Sequence, residues 1–561
     1  MNTATINKVD PGDASYNMDN KQEVEMLESE KPSVHYVEDA SAEAEQDMRG
    51  QELTGYEDLT LFQTLKTFKK TSLLCLAVTF TAAAEGYEIG MTNNINANAG
   101  FNHSVGEKLV DGERSISAEQ FARWSPLSTT GQVLGQVGFP FISSWFGRKY
   151  SLLLIWLTAV VAITLQSSTT DNDRTWAASK IFTGASVGAI QTVVPLYVCE
   201  LAPTKIRGSL ISLYNFWFQL GNFFPPIVFQ VLKNSNRERE WKLPVYTQWA
   251  TIAIIGAVFL FAPESPVWCA QKDKRDRGIA ILQKLNGGIE GYSAEKQYDI
   301  LRRGAEYEKA KNAEVRKEHW WNIFLGTNLI RLVISTWTTL AFQLLGLGLF
   351  LSYGSIFYAA AGVEDPFLVV IINNCVTLGS ILPIILFADK IGRRMVCLVG
   401  MDLMWIACLL VGVLGLLKKS SVVNSLLVFF SCLWTLGLQT AATAAYGYLA
   451  ETSTQSLREY TSGWAYAVST IFGTIWGIMI PYMLDETEWN WNLKTGFFFF
   501  GIGAFSAVGG WFVLPETARR TPAELDELFA RKIKPWRFHK TKTATQLAAD
   551  EASRREDSSN I

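Results

Sequence analysis

SLLLIWLTAVVAITLQ, residues 151–166, runs for sixteen positions without a charge, and Gly147, Arg148 and Lys149 stand just ahead of it. A second apolar run, VCLVGMDLMWIACLLVGVLGLL at 396–417, is prefaced in the same way by Gly392, Arg393 and Arg394. Each run approaches or reaches the ~20 residues needed to cross a ~30 Å hydrocarbon layer. Other paired cues keep the same order. ELAPTKIRG from Glu200 recurs as ETSTQSLRE from Glu451, and PESP from Pro263 recurs as PETA from Pro515, each offset being about 250 residues. A repeated set of cues at a nearly constant offset implies two similar halves in one membrane protein.

Working outward, further runs such as AFQLLGLGLFLSYGSIFYAAAG (341–362) and GFFFFGIGAFSAVGGWFVL (496–514) complete a set of twelve expected spans. They fall near 71–96, 122–144, 150–168, 175–199, 209–232, 246–262, 329–359, 367–388, 394–416, 424–450, 460–484 and 494–514. The expected fold is an all-α membrane protein with twelve transmembrane helices in two pseudo-symmetric six-helix bundles. The domains then read as an acidic disordered cytosolic tail (1–69), an N-terminal bundle (70–263), a helical cytosolic connector (264–325), a C-terminal bundle (326–514) and a cytosolic tail (515–561). Residues 1–58 hold fifteen acidic side chains against four lysines or arginines and no long apolar run. Such a composition cannot bury enough surface to fold alone. No charged n-region leads into an apolar h-region, so no cleavable signal peptide is expected.

Lysine and arginine set the orientation. The 147–149 and 392–394 turns, Lys205 with Arg207, the twelve basic residues of 264–323 and the C-terminal tail share one side, which is cytosolic by the positive-inside rule. Arg237, Arg239 and Lys242 lie on the other side and weaken the contrast. Both termini are then cytosolic, in a plasma-membrane protein whose 97–121 loop is outside. That loop carries Asn102-His103-Ser104, an acceptor tripeptide for N-glycosylation at Asn102.

The net charge of −3 says little, because charges crowd into tails and loops. Seven cysteines show no CxxC spacing, and the four histidines all fall outside the spans, so no metal or cofactor is expected. A nucleotide-binding glycine loop is also missing, and an enzyme is not expected. Inside the first span, however, EGYE places Glu85 and Glu88 one helical turn apart. A carboxylate near a bilayer centre costs roughly 2.5–3.5 kcal/mol on insertion scales, so the pair is expected to face a protected pathway.

FADKIGRR (387–394), VPLYVCELAPTKIRG (194–208), PESPVW (263–268) and PETARRTPAELDELF (515–529) together resemble the signatures of the sugar porter family of the major facilitator superfamily. IPYMLDETEWNWNLKTGFFFF (480–500), ETSTQSLR (451–458) and EGYE look most like fungal maltose and α-glucoside permeases. The resemblance implies proton-coupled import of α-glucosides by alternating access, with sugar, protons and the lipid bilayer as partners, no nucleic acid, and a monomer. Two other readings stand beside it: a facilitator or efflux permease for a small polyhydroxylated metabolite, and a membrane sugar sensor.

Sugar hydroxyls need neutral hydrogen-bonding groups and aromatic faces. The spans offer Gln191, Gln219, Gln343, Tyr353, Asn373, Asn374, Tyr446 and Trp464. The resemblance singles out Gln219, Gln343 and Asn374, although Leu344 stands where hexose members keep a second glutamine. A gating latch is expected from Arg148, Lys149, Glu200, Arg207 and Glu264 in the first half and Asp389, Arg393, Arg394, Glu451, Arg458 and Glu516 in the second. Ser144 replaces the aspartate usual in the family, which would weaken the first half-latch. For coupling, Glu88 stands where the α-glucoside symporters have Asp, and Gln132 and Tyr466 stand where they keep charges. Lys180 is then the proposed partner of Glu85 or Glu88.

Overall fold

The computed structural model describes residues 60–110, 113–170, 173–232, 241–289, 291–315, 319–453, 457–517 and 522–541. Residues 1–59 of the expected tail and the end of the C-terminal tail lie outside the described residues, while residues 61–67, expected as part of the disordered tail, are helical.

The first half begins with α1 (Leu61–Thr67), where Thr60 and Gln63 form a reciprocal capping box. The first span is α2 (Lys69–Thr79) and α3 (Thr81–Ile95), nearly continuous through Phe80. A short α4 (Ala99–Val105) and a hairpin of β1 (Lys108–Val110) and β2 (Glu113–Ser115) lead to α5 (Ala118–Phe146), which Ser117 and Gln120 cap reciprocally. Then follow α6 (Arg148–Ser168), α7 (Asp173–Leu201), α8 (Thr204–Leu232) and α9 (Lys242–Phe261). Three connector helices, α10 (Pro266–Gln271), α11 (Arg275–Asn286) and α12 (Ala294–Val315), bury Trp268, Cys269, Leu282 and Tyr298 among themselves. Asn286 ties them to the first span by accepting from Thr71 at 2.6 Å.

In the second half, α13 (Gly326–Leu344), a π-helical turn at 348–352 and α14 (Gly354–Ala360) make one interrupted span. It is followed by α15 (Pro366–Ile391), α16 (Arg393–Leu414), α17 (Ser421–Glu451), α18 (Arg458–Leu484), α19 (Thr495–Val513) and the short α20 (Pro522–Ala530). With α2–α3 and α13–α14 each counted as one span, this is the expected twelve-helix major facilitator fold. Eight of the described helices are long and apolar enough to cross a membrane by composition alone. Spans such as proline-bearing α5 and interrupted α13–α14 are not among those eight, because they carry the polar side chains that a pathway needs.

Lipid tails are as apolar as leucine, so close van der Waals packing must hold such helices together. Small residues supply it. A Cβ on Gly131 or Gly135 of α5 would stand 2.2 Å from the Ile181 or Ala185 carbonyl oxygen of α7, and one on Gly184 or Gly188 would stand 2.1 Å from the Ser128 or Gln132 oxygen of α5. Gly86 of α3 and Gly221 of α8 meet the opposing backbone in the same way. The halves meet chiefly where α5 packs on α18 and α8 on α15.

Candidate functional site: a cavity between the two halves

A cavity of about 400 Å³ lies between the halves. From the first half, α3 contributes Glu88, Thr92 and Asn93, α5 contributes Ser125, Ser128 and Gln132, and α7 contributes Lys180 and Thr183. From the second, Gln343 ends α13, Tyr353 follows the π-helical turn, and Ser469 and Thr470 come from α18. The interruption of the seventh span places its backbone against this polar space, the setting in which irregular backbone is tolerated at membrane depth. Phe121 and Trp124 form an aromatic wall, with Tyr353 edge-on to Phe121 at 5.9 Å and its hydroxyl donating to the Gly477 carbonyl at 2.7 Å.

The carboxylates are held by neutral groups. Glu88 accepts from Gln166 Nε2 at 2.7 Å. Glu85 lies deeper, 2% exposed, accepting from Gln191 Nε2 at 2.7 Å and from the Tyr214 hydroxyl. Lys180 makes no ion pair within 4.0 Å of either; its ammonium donates to Thr92 Oγ1 at 3.2 Å and sits 4.4 Å from the Trp176 ring. The expected contact pair is therefore corrected to a near arrangement in which Lys180 and Glu88 share one cavity wall. Thr92 accepts from Lys180 and Thr183 from Gln166 Nε2 at 3.1 Å, and both threonines line the same wall.

Other sequence expectations divide by rotation about the helix axis. Gln343 and Tyr353 line the cavity. Gln191 does not; its amide bridges helices and serves Glu85. Asn373 donates to the Tyr358 hydroxyl at 3.0 Å, and Asn374 donates across the halves to the Asn222 carbonyl at 3.2 Å, so neither reaches the cavity. Gln219 is absent from the lining, and Trp464 is 43% exposed, edge-on to Phe324. The side chain of Tyr446 lies outside the described residues. Gln132 was legible only as a departure from a family pattern, and Thr92, Thr183, Ser125 and Ser128 gave no signal, because small hydroxyl residues are common in packed spans.

The latch residues resolve into a pair of helix caps. Glu264 accepts from the backbone N–H of Arg148 at 2.7 Å and of Lys149 at 3.2 Å, at the start of α6. Glu516 accepts from the N–H groups of Arg393 at 3.1 Å and Arg394 at 3.3 Å, at the start of α16. A carboxylate there satisfies orphan donors and faces the positive end of the helix dipole. The preceding glycines, Gly147 at φ 108° and Gly392 at φ 98°, hold backbone that L side chains rarely adopt. A Cβ at either would also meet the glutamate oxygens, at 2.3 and 2.8 Å. The Arg148 guanidinium additionally pairs with Glu200 at 2.7 Å, while Arg394 binds the Leu514 and Trp511 carbonyls at 2.9 and 2.7 Å. Arg207 is half-buried in α8. The side chains of Asp389, Glu451 and Arg458 lie outside the described residues.

At the other end, the hairpin of the first half reaches the second. Lys108 Nζ lies 2.8 Å from both Oδ1 and Oδ2 of Asp485 and also donates to the Thr487 hydroxyl. Ser355 donates to the Asn93 carbonyl at 3.0 Å nearby in the chain fold. The α4 helix is pinned by Phe101, whose ring lies 4.8 Å from Trp176 and 5.3 Å from Trp241. Asn102 belongs to this short helix with its amide oxygen buried, and Ser104 accepts from Trp241 Nε1 at 3.1 Å. Among the described residues no group of three or more His, Cys, Asp or Glu could hold a metal ion.

Residues 74–529 match the family described as Sugar (and other) transporter. Among curated proteins, the hexose transporter HXT10 of Saccharomyces cerevisiae is 26% identical over 479 residues, covering 83% of this chain and 86% of that one. The general alpha-glucoside permease of the same yeast is 26% identical over 504 residues, covering 86% of this chain and 79% of that one. Among solved structures, the inward open conformation of the xylose transporter XylE from E. coli aligns with a TM-score of 0.66 at 18% identity, over 82% of this chain and 99% of that chain.

Proposed function

We propose that this chain, which belongs to the sugar transporter family, imports α-glucosides such as maltose across the plasma membrane by proton symport. It is a multi-pass membrane transporter, not an enzyme, and the yeast relatives named above carry hexoses or α-glucosides. The observation that carries the finer reading is the cavity itself. Neutral hydroxyls and amides from both halves surround it, Phe121 and Trp124 give an aromatic wall suited to the apolar face of a pyranose ring, and one carboxylate, Glu88, stands in its lining. A cavity shared by two rigid halves is a site that rocking can expose first on one side and then on the other.

Glu88 and Lys180 give protons a lever. With Glu88 ionised, the wall carries a carboxylate and an ammonium bridged through Thr92 and the cavity. A proton on Glu88 leaves Lys180 without its counter-charge and changes the attraction between α3 and α7, which biases one conformation over another. The hairpin end is the outside and the connector end the cytosol, both termini being cytosolic and the chain acting as a monomer. The Lys108–Asp485 bridge then closes the outer mouth in this conformation, and sugar entry requires it to break.

Uptake of radiolabelled maltose, sucrose and glucose into transporter-deficient cells, with and without a protonophore, tests this reading. Maltose uptake that collapses with the protonophore is expected. Uptake that ignores the protonophore removes symport, and absence of uptake of all three sugars removes import.

A further inference from the structure

Gln191 stands between the sugar cavity and the deeper carboxylate. Because α5 and α7 touch backbone to backbone at Gly188, whose Cβ would lie 2.1 Å from the Gln132 oxygen, long amides from the two helices can interlock. Gln132 Nε2 and Gln136 Nε2 both donate to Gln191 Oε1, at 3.1 and 2.9 Å. Gln191 Nε2 in turn donates to Glu85 Oε1 at 2.7 Å. Of this series only Gln132 lines the sugar cavity. Glu85 opens instead, together with Glu88, onto a separate chamber of about 30 Å³ beside Ile155, Ile252 and Gln248. That volume accommodates one or two waters.

A carboxylate only accepts, whereas a carboxamide accepts at one end and donates at the other. An ionised Glu85 therefore fixes the direction of every amide in the series. Gln191 must turn its NH₂ toward Glu85 and its oxygen toward Gln132, so Gln132 spends an N–H on Gln191 and offers its carbonyl to the cavity. When a proton from the chamber water settles on Glu85 Oε1, the carboxyl becomes a donor. Gln191 then turns its oxygen to Glu85 and its NH₂ to Gln132, and Gln132 presents N–H to the cavity. Resting on the proton-coupled reading above, we propose that Gln191 is a polarity relay. It converts the charge state of Glu85 into the hydrogen-bonding character, acceptor or donor, that Gln132 offers to a sugar hydroxyl.

The surroundings suit a two-state switch. Tyr214 of α8 faces the other Glu85 oxygen, and Glu88 lies one turn away on the same helix. Lys180 of α7 is engaged with Thr92 rather than Glu85, and α6 and α9 bring Ile155, Ile252 and a Gln248 that is bound to Gln166. The charge of Glu85 is thus balanced by reorientable dipoles, which must respond when that charge changes.

The test uses the full chain in nanodiscs and the dissociation constant of whichever of radiolabelled maltose, sucrose or glucose the uptake assay shows to be carried, measured at pH 5.5 and 8.0. Wild-type affinity is expected to differ at least about fivefold between the two, the lower range of allosteric coupling. Gln191→Met keeps the side-chain length but cannot relay, and the difference is expected to fall below about twofold. A purely structural role would shift both constants by the same factor and keep the ratio, which overturns the proposal. Should Gln191→Met not fold, a cycle of Glu85→Gln, Gln132→Met and the double variant decides. Effects that multiply independently overturn the relay, and a deviation of threefold or more, on the order of 0.6 kcal/mol, between residues that do not touch supports it. A wild-type affinity that is flat with pH removes the proton reading and the relay together. A pH-dependent wild type with an equally dependent Gln191→Met removes the relay alone.

Discussion

Breaking the Lys108–Asp485 bridge should open the hairpin end of the cavity. The ammonium sits 2.8 Å from both carboxylate oxygens, with the side chains 24% and 15% exposed. Fully exposed pairs contribute about 0.2–1 kcal/mol and hydrogen bonds to charged groups about 1.5–3 kcal/mol. A partly covered, doubly bonded pair that solvent still screens belongs between these, at about 1–2 kcal/mol, and loss of that amount multiplies the open population by roughly 5–30. Asp485→Asn is the cleanest perturbation, because it keeps the shape and the Thr487 N–H bond at 2.9 Å while removing the charge. The readout is the rate at which an impermeant thiol reagent, added from outside, modifies a Ser128→Cys reporter in the cavity wall, corrected for the parent chain's own cysteines. The rate should rise in proportion to the open population, and the exchanged pair Lys108→Asp with Asp485→Lys should bring it back. An unchanged rate in Asp485→Asn would refute the latch. The pH dependence has a definite sign. Burial acts to raise the Asp485 carboxyl, but bonds from Lys108 and Thr487 outweigh it and hold it below its ordinary value of 3.8. The bridge is therefore complete above that value and is lost only as pH falls through the lowered one. The ratio of the Asp485→Asn rate to the parent rate at each pH, in which the reporter's thiolate fraction cancels, should stay constant between pH 8 and 5.

Two further tests concern the frame around the site. Gly188→Ala puts a Cβ 2.1 Å from the Gln132 oxygen and should cost about 1–3 kcal/mol by overpacking, seen as a lower thermal-unfolding midpoint in detergent, whereas Gly463→Ala, with nothing within 4 Å, should hold or raise the midpoint. Glu264→Gln and Glu516→Gln each remove the anion from a helix N-terminus, at a cost of about 0.5–2 kcal/mol. An unchanged midpoint in either variant would contradict the cap that its glutamate makes.

What could be read from the chain alone follows the range over which each feature is encoded. The two Gly-Arg turns and the two Pro-Glu turns were visible as repeats, because backbone that turns at a helix start needs a glycine locally. Their mutual purpose was not visible. Each glutamate caps a helix more than a hundred residues earlier in the chain, at separations of 116 and 123 residues, and a positive-inside charge pattern looks the same whether or not such caps exist. The polar residues of the spans show a different limit. Successive positions on a helix differ by about 100°, so the rotation of each helix decides whether an amide faces the cavity, as Gln343 of α13 does, or binds a neighbouring helix, as Asn373 and Asn374 of α15 do. No local pattern tells these apart, since an amide in a membrane must find a partner in either place. Glu85 and Glu88 stand out in the sequence because the cost of a carboxylate inside a span is intrinsic. Their partners sit on other helices, and the approach of α8, which carries Tyr214, to α3 is set by Gly86 and Gly221, residues that carry no chemistry themselves. A lysine on α7 was therefore the natural guess for the partner, and Gln191 of α7 with Tyr214 of α8 holds Glu85 instead, while Gln166 of α6 holds Glu88 and Gln132 and Gln136 of α5 reach Gln191 where glycine contacts bring α5 and α7 together.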